Sequence, residues 1–298
     1  MRPPRSFVPV AALLLATLVV PARAGETCPT LFADGRSPVV VNARLAADAV
    51  ALCYSAFAIL YSGRARTPLY AAERLTRRSV AQARSVERVD TFHEEDRLPP
   101  DQRARLDDYS RSGFDRGHMA PAGDMPDAEA QAESFTLANI VPQDRTVNRG
   151  TWAAIEESVR RLAIRRATLF VVTGPLYEGA ALDEINGRVL VPTGLYKAVY
   201  DPARNEAGAY LAPNRADGEW QAVSLDALRA RAGIDVFPAL SDAAKARAMD
   251  LPEPHEFSRD GTTRRQEAGF WAGFETWAKR ELHRLLRHLW RELMKALF

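Results

Sequence analysis

The sequence is poor in the residues that most often build zinc sites and nucleophilic centres. It has two cysteines and five histidines among 298 residues. It contains no His-Glu-x-x-His or Cys-x-x-Cys segment and no histidine pair at helical spacing, so a zinc site is not expected. It also has no Gly-x-Ser-x-Gly turn. These absences argue against zinc enzymes and against proteases.

The sequence also lacks repeats, low-complexity tracts and an excess of one charge. Its 40 Lys and Arg residues nearly balance 38 Asp and Glu residues, for a formal net charge of +2. Affinity for a polyanion must therefore come from local arginines and not from the field of the whole molecule. The length allows one large globular domain or two small ones.

The N-terminus has the pattern of a secretory signal. Arg2 and Arg5 precede an apolar run over 7–20, and Ala22 and Ala24 place small residues at a cleavage site. A membrane anchor is the alternative, but the run is shorter than the roughly 20 residues that span a bilayer. We expect residues 1–24 to be removed and the protein to be periplasmic or secreted. Removal takes away three arginines and leaves 37 basic and 38 acidic residues, a net charge of −1.

The two cysteines, Cys28 and Cys53, fit such a compartment. One disulfide between them is expected where conditions are oxidising. A loop of this size would stabilise the fold by about 3 kcal/mol in the chain-entropy model. The alternative is two buried free thiols.

The apolar patterns predict a mixed α+β fold. The segments 57–61 and 168–173 each predict a strand, and 188–191 and 195–200 predict a further strand pair. Apolar residues at helical spacing predict a helix over 151–166. The segment 69–88 is polar and arginine-rich and is assigned no element. Strands and helices interleave without a regular βαβ rhythm, which favours α+β over a doubly wound sheet.

The last thirty residues predict a basic amphipathic helix, with leucines on one face and Arg and Lys largely on the other. We therefore expect a signal over 1–24, a globular domain over 25–265 and this helix over 266–298. The helix can pack on the domain or against a second copy as a homodimer. Its basic face also permits attachment to a membrane surface.

The segment 112–126 concentrates turn residues and charges, which suggests a site. Hydrolysis of a phosphodiester needs a base, positive charge on the phosphorane and help for the leaving oxygen. His118 can be the base, because the pKa of imidazole lies near working pH. Arg116 can bind phosphate oxygens, and Gly117 lets the backbone pass closely between the two.

The polar residues that follow suit magnesium. Mg²⁺ keeps most of its waters and takes one or two protein oxygens, which Asn148 at a helix start can supply. Glu156 lies about 12 Å further along a regular helix, so it suits a carboxylate that orients metal-bound water. Each residue also has a structural alternative. His118 can be a structural histidine, Asp115 and Arg116 an ion pair, Asn148 a helix cap and Glu156 a surface charge.

Taken in order, these segments resemble the DNA/RNA non-specific endonucleases of the ββα-metal class. The resemblance is strongest in three stretches, which are 107–121 with Asp-Arg-Gly-His at its centre, 138–143, and 148–152 followed by Glu156. Weaker similarity covers 28–250. The helix over 269–298 has no counterpart that we associate with the family core.

The resemblance implies a central, mostly antiparallel sheet flanked by helices, with His118 facing Asn148 across a strand–strand–helix unit. It implies that His118 accepts the proton, Asn148 binds Mg²⁺ and Glu156 organises metal-bound water, with Mn²⁺ as a substitute ion. It further implies that Arg116 stabilises the transition state and that Asn139 orients groups near the metal. Arg88 resembles the second phosphate-binding arginine, a position for which Arg84 competes.

The substrates implied are DNA and RNA, single- or double-stranded, cut to 5′-phosphate products with little sequence preference. Two other functions remain open on the residues alone. One is a catalytically inactive relative that binds nucleic acid or a partner protein. The other is a phosphoesterase that acts on small nucleotides.

Overall fold

The computed structural model describes residues 28–254 and places thirteen strands there. They are β1 Val39–Val40, β2 Ala49–Cys53, β3 Phe57–Ser62, β4 Thr67–Thr76, β5 Asp115–His118, β6 Ile140–Gln143, β7 Thr168–Leu176, β8 Glu184–Ile185, β9 Val189–Leu190, β10 Gly194–Asp201, β11 Glu206–Pro213, β12 Gln221–Val223 and β13 Ile234–Asp235.

Seven of these strands form a central sheet in the order β12-β11-β10-β7-β4-β3-β2, and every neighbouring pair is antiparallel. The central strands are buried on both faces, since β3 and β10 have no exposed residue and β4 has one. Successive side chains alternate between the faces of a strand. Residues Ala71 and Leu75 of β4 therefore join one apolar cluster, whereas Tyr70 and Ala72 join the other.

Helices cover both faces of the sheet. Their bounds are α1 Arg77–Ala83, α2 Ala128–Ser134, α3 Arg145–Arg149, α4 Thr151–Arg166, α5 Leu225–Ala232 and α6 Asp242–Ala246. The long helix α4 packs one stripe of apolar residues on the sheet, including Trp152, Ile155 and Val159. Helical spacing alone predicted this face, because residues three and four apart share a side of a helix. The predicted helix over 151–166 and the mixed fold with an antiparallel sheet are confirmed.

The opposite face of the sheet is covered by α5, α6 and the first described residues. Leu228 of α5 and Phe32 pack there against Tyr70 and Tyr196 of the sheet. Cys28 and Cys53 form a disulfide in the structure, with 6.2 Å between their Cα atoms. This pairing, which joins the leading segment to β2, is as predicted.

A small strand–strand–helix unit lies on the α4 side. Strands β5 and β6 pair antiparallel, with Gly117 opposite Val141 and His118 opposite Ile140. A glycine is needed at position 117 because a larger residue would clash with a neighbouring side chain, and not because of its backbone angles. A Cβ there would lie 2.0 Å from Oε1 of Gln143. The close approach expected at this glycine is therefore an approach of a side chain from β6.

Two sequence-based interpretations need correction. The segments 188–191 and 195–200 do not pair with each other, because β9 pairs with β8 and β10 lies in the central sheet between β7 and β11. The arginine-rich segment 69–88, assigned no element, contains most of the central strand β4 and then α1. The alternation of β4 was obscured because Glu73, at a core position, is charged.

The predicted signal over 1–24 and the predicted amphipathic helix over 266–298 lie outside the described residues, and the domain boundaries stay predictions. Within residues 28–254, no helix combines the length and the apolar character needed to cross a bilayer.

Candidate active site

A cavity of about 880 Å³ opens beside β5 and the first turns of α4. It is lined by five of the six predicted catalytic and metal-binding residues, and the sixth, Asn139, is not among its lining residues. The five are Arg88, Arg116, His118, Asn148 and Glu156. Residues far apart in the sequence therefore meet in one cavity.

His118 ends β5 and is buried among aromatic rings. The ring of Phe135 meets the imidazole edge-on at 4.9 Å, and the ring of Phe92 lies at 5.5 Å. No hydrogen-bond partner for Nε2 occurs in the part of the chain that the structure describes. Burial, and to a smaller extent the charge of Arg88, lower the pKa of His118 from 6.5 to about 3, while the charge of Asp90 opposes this shift. The imidazole is therefore neutral at neutral pH, which is the form that accepts a proton.

Arg116 lies two residues before His118 on the same strand. Its guanidinium stacks over Phe92 at 4.9 Å and lies 5.9 Å from the ring of Tyr109. Among residues 28–254 its Nε has no hydrogen-bond acceptor. Such a cation is held in place by rings and not neutralised by a carboxylate, so it can bind an incoming anion.

Asn148 is the fourth residue of α3 and not a helix start as expected. Its Nδ2 donates to Oδ2 of Asp115 at 3.0 Å, which leaves the amide oxygen for another partner. The helical conformation is interrupted at Gly150, which has φ −111° and ψ −103°, and α4 begins at the next residue, Thr151. The expectation of about 12 Å to Glu156 assumed one regular helix. The break at Gly150 removes that assumption.

Glu156 lines the cavity from α4 and is half-buried. Burial raises the pKa of its carboxyl above the ordinary value, while Lys197 and Arg160 oppose the shift. Asp124 adds to it. Glu156 therefore lies in a crowded set of charges, which is common where a protein builds a functional site.

Arg88 fits the position of a second phosphate-binding arginine better than Arg84 does. Arg88 lines the cavity, where its guanidinium lies 5.3 Å from the ring of Phe135 and pairs with Asp90 at 2.7 Å. Arg84 instead approaches Glu157 at 3.8 Å and is not among the residues lining the cavity.

Asn139 is fully buried and faces the backbone. Its Oδ1 accepts from the amide of Ala120 at 2.9 Å, and its Nδ2 donates to the carbonyls of Ala120 and Ser134 at 2.8 and 2.9 Å. This side chain ties the chain that follows His118 to the end of α2. The structure therefore places it where it positions the end of β5, and not where it orients groups in the cavity.

Sequence reasoning missed several contributors. Arg160 lines the cavity and pairs with Asp124 at 2.8 Å, and its position four residues after Glu156 on α4 was the available signal. The rings of Phe92 and Phe135 beside His118 come from other segments of the chain, and no local pattern could place them there.

The donor set fits magnesium better than a metal that prefers nitrogen or sulfur ligands. No group of three or more His, Cys, Asp or Glu side chains that could hold a metal is found in residues 28–254. Asn148, Asp115 and Glu156, whose side chains carry oxygen donors, are instead among the residues that line the cavity. Mg²⁺ is bound by few protein oxygens and keeps several waters.

Comparison with known proteins finds a matching family and several similar chains. The family model for DNA/RNA non-specific endonucleases matches residues 39–243. "Nuclease EXOG, mitochondrial" from Danio rerio is 33% identical over 242 residues, which cover 72% of this chain and 70% of that protein. "Endonuclease G, mitochondrial" from Caenorhabditis elegans is 32% identical over 208 residues, which cover 63% and 68%.

The fold is also similar to a solved structure. A crystal structure of an EndoG/EndoGI complex superimposes with a TM-score of 0.61 and 30% identity, covering 65% of this chain and 88% of that chain. That complex is described as showing the mechanism of EndoG inhibition.

The comparisons overturn the predicted location. Several of the relatives are named as mitochondrial nucleases, among them those from Danio rerio and Caenorhabditis elegans, and these names contradict the predicted periplasmic or secreted location. The prediction was wrong because it relied on charge and hydropathy at the N-terminus, and targeting segments for different compartments share basic residues.

Proposed function

Since the chain belongs to the DNA/RNA non-specific endonuclease family and is therefore an endonuclease, we propose that it hydrolyses the phosphodiester bonds of DNA and RNA in a Mg²⁺-dependent reaction. The observation that carries this proposal is the cavity itself. It brings a neutral buried imidazole at His118 together with Arg116 and Asn148.

His118 is the general base. Its imidazole accepts the proton of the attacking water, and its aromatic surroundings keep competing water away from the ring. Arg88 lowers the pKa of His118 in the free protein. An anionic phosphodiester would offset that charge and raise the pKa of His118, so substrate binding would make the base stronger.

Arg116 and Arg88 bind the phosphate. Both guanidinium groups line the cavity, and planar forks of N–H donors suit phosphate oxygens. They stabilise the charge that develops as the water attacks. Contacts to phosphate carry no information about base or sugar, which supports tolerance of both DNA and RNA. The products of this reaction carry a 5′-phosphate.

Asn148 would hold the magnesium ion through its amide oxygen, with Mn²⁺ as a substitute. Bound there, the ion supplies positive charge for the phosphate and an acidic proton for the leaving oxygen. Asp115 fixes the Asn148 amide by accepting from Nδ2. Glu156 holds water beside it, and Asn139 positions the chain that follows His118.

The test is cleavage of plasmid DNA and of RNA by the protein with and without magnesium, beside His118→Ala. We expect both polymers to be cut only with magnesium and the variant to lose about 10²- to 10⁴-fold in kcat. His93→Ala is the matched control, because His93 is exposed and does not line the cavity. It should keep the wild-type rate.

Two results would contradict the proposal. Tight binding of DNA without cleavage under any condition would identify an inactive relative. Hydrolysis of small nucleotides without cleavage of polymers would identify a phosphoesterase.

A further inference from the structure

A second cavity of about 500 Å³ lies next to the active-site cavity, and the two share Arg149 among their lining residues. Its walls come from α3 and from the loop after β11, where Ala216 and Gly218 lie. Gly150, at the break between α3 and α4, also lines it. The two cavities therefore adjoin at the side chain of Arg149.

The shared wall carries positive charge. Arg149 donates to Asp115 from Nε at 2.7 Å and from Nη2 at 2.8 Å, and Nε of Arg145 lies 3.6 Å from the same carboxylate. One carboxylate thus serves two guanidinium groups, which leaves a net positive charge. The side chains of Arg145 and Arg149 remain 61% and 70% exposed, so their other N–H groups can meet a ligand from solvent.

These groups define the chemistry of the ligand. A pair of guanidinium groups held by a carboxylate binds phosphate oxygens with several N–H donors at once. Thr146 and Thr151 add hydroxyl donors to the cavity, and small residues leave its centre open. Both hydroxyl and guanidinium donors suit phosphate and sugar oxygens more than any one base edge.

We propose that the second cavity is a subsite for the nucleotide that flanks the scissile phosphate, with Arg145 and Arg149 binding its backbone phosphate. This inference rests on the proposed function. A strand that lies in the active-site cavity continues along Arg149 into the second cavity. Such a path allows cutting within a chain, because the strand does not have to end at the cavity.

Asp115 links this subsite to the reaction centre. The same carboxylate that holds Arg145 and Arg149 also accepts from Nδ2 of Asn148. Arg149 lines both cavities, so its loss would affect both. Arg145 lines only the second, which makes it the residue that separates the two effects.

The experiment compares Arg145→Ala with wild type on two substrates. One is long DNA, and the other is bis(p-nitrophenyl) phosphate, a phosphodiester without flanking nucleotides. We expect KM for DNA to rise roughly fivefold and the slope of log KM against log salt to fall by about 0.7 to 0.9. The kcat on DNA and the rate on the small diester should stay within about twofold of wild type.

Two further variants make the test specific. Ala216→Trp fills the second cavity without changing charge, and it should raise KM for DNA alone. Arg64→Ala removes an arginine of similar exposure, 70%, which is 4.0 Å from Asp48 and lines neither cavity. It should behave as wild type in KM and in salt dependence.

The subsite is overturned if Arg145→Ala and Ala216→Trp both match wild type on DNA. Binding of a fluorescent oligonucleotide to the His118→Ala protein, with and without Arg145→Ala, tests the subsite in the absence of turnover. Equal affinity of the two proteins refutes the subsite. Failure of the wild-type protein to cut either substrate refutes the proposed function and leaves this binding measurement to judge the subsite.

Discussion

The two faces of the central sheet differ in how they bury charge. On the face covered by α4, Glu73 and Lys197 are both almost fully buried, yet their charged atoms lie 3.9 Å apart. On the face covered by α5 and α6, Lys245 and Asp235 form a pair of 2.8 Å beside the apolar cluster. Both faces hold an acid and a lysine, but only the second pair is hydrogen-bonded.

The pair of Glu73 and Lys197 lacks a hydrogen bond between its two charged groups. Neither carboxylate oxygen of Glu73 has a hydrogen-bond partner among residues 28–254, and Nζ of Lys197 donates to Thr173 instead. Burial raises the pKa of Glu73 well above its ordinary value, Asp124 and Glu156 raise it further, and Lys197 and Arg160 oppose this. The face beside the cavity thus holds several neighbouring carboxylates, and groups with perturbed pKa values are common at functional sites.

Among variants of the two faces, the largest loss in the free energy of unfolding is expected from Asp124→Asn, on the face covered by α4. Asp124 is 2% exposed and pairs with Arg160 at 2.8 Å, so the substitution leaves Glu157 as the remaining ion-pair partner of this buried guanidinium among residues 28–254. We expect a loss of about 2–3 kcal/mol in the free energy of unfolding, measured by urea denaturation. Because Arg160 lines the cavity, kcat on DNA should fall as well.

A smaller loss is expected on the opposite face from Asp235→Asn. This variant leaves Lys245 buried without its carboxylate, which should cost about 1–2 kcal/mol in the free energy of unfolding. Activity per folded molecule should not change, since neither residue lines the cavity. Asp217→Asn is the control, because Asp217 pairs with Arg215 but is 83% exposed. A drop in kcat for Asp235→Asn would show that the two faces are not separate.

The smallest effect, and the one of opposite sign, is expected from Glu73→Gln. A raised pKa in the folded state gives stability that is present below the unfolded pKa and lost as pH rises through the folded pKa. The neutral amide avoids that loss. The variant should match wild type near pH 4 and be more stable by about 1 kcal/mol at pH 7.

The measurement for Glu73→Gln is denaturation in urea at a series of pH values. Glu87→Gln, at an exposed position, provides the control and should follow wild type throughout. A loss of stability that grows as pH rises would show that Glu73 is needed as an ion and that the pair with Lys197 is net stabilising.

Much of the fold followed from local patterns. The helix α4 and the strands β3 and β7 were predicted, since apolar spacing and β-branched runs are local signals. Strand β4 was not predicted because Glu73 and Arg74 interrupt its apolar run. The pairing of β9 with β8 was not predicted because the partner of a strand depends on turns and on neighbours far along the chain.

The sequence alone determined which side chain types are available for a site and in what order they occur along the chain. The order and spacing of Asp115, Arg116, His118 and Asn148 resemble those of the DNA/RNA non-specific endonucleases, and this resemblance indicated phosphodiester hydrolysis, although each residue alone also had a structural interpretation. The structure decided what each group can do. It buried His118 between two rings and turned Asn139 toward the backbone. Burial, pKa and side-chain direction depend on residues brought together from distant segments, and for that reason only the tertiary structure could supply them.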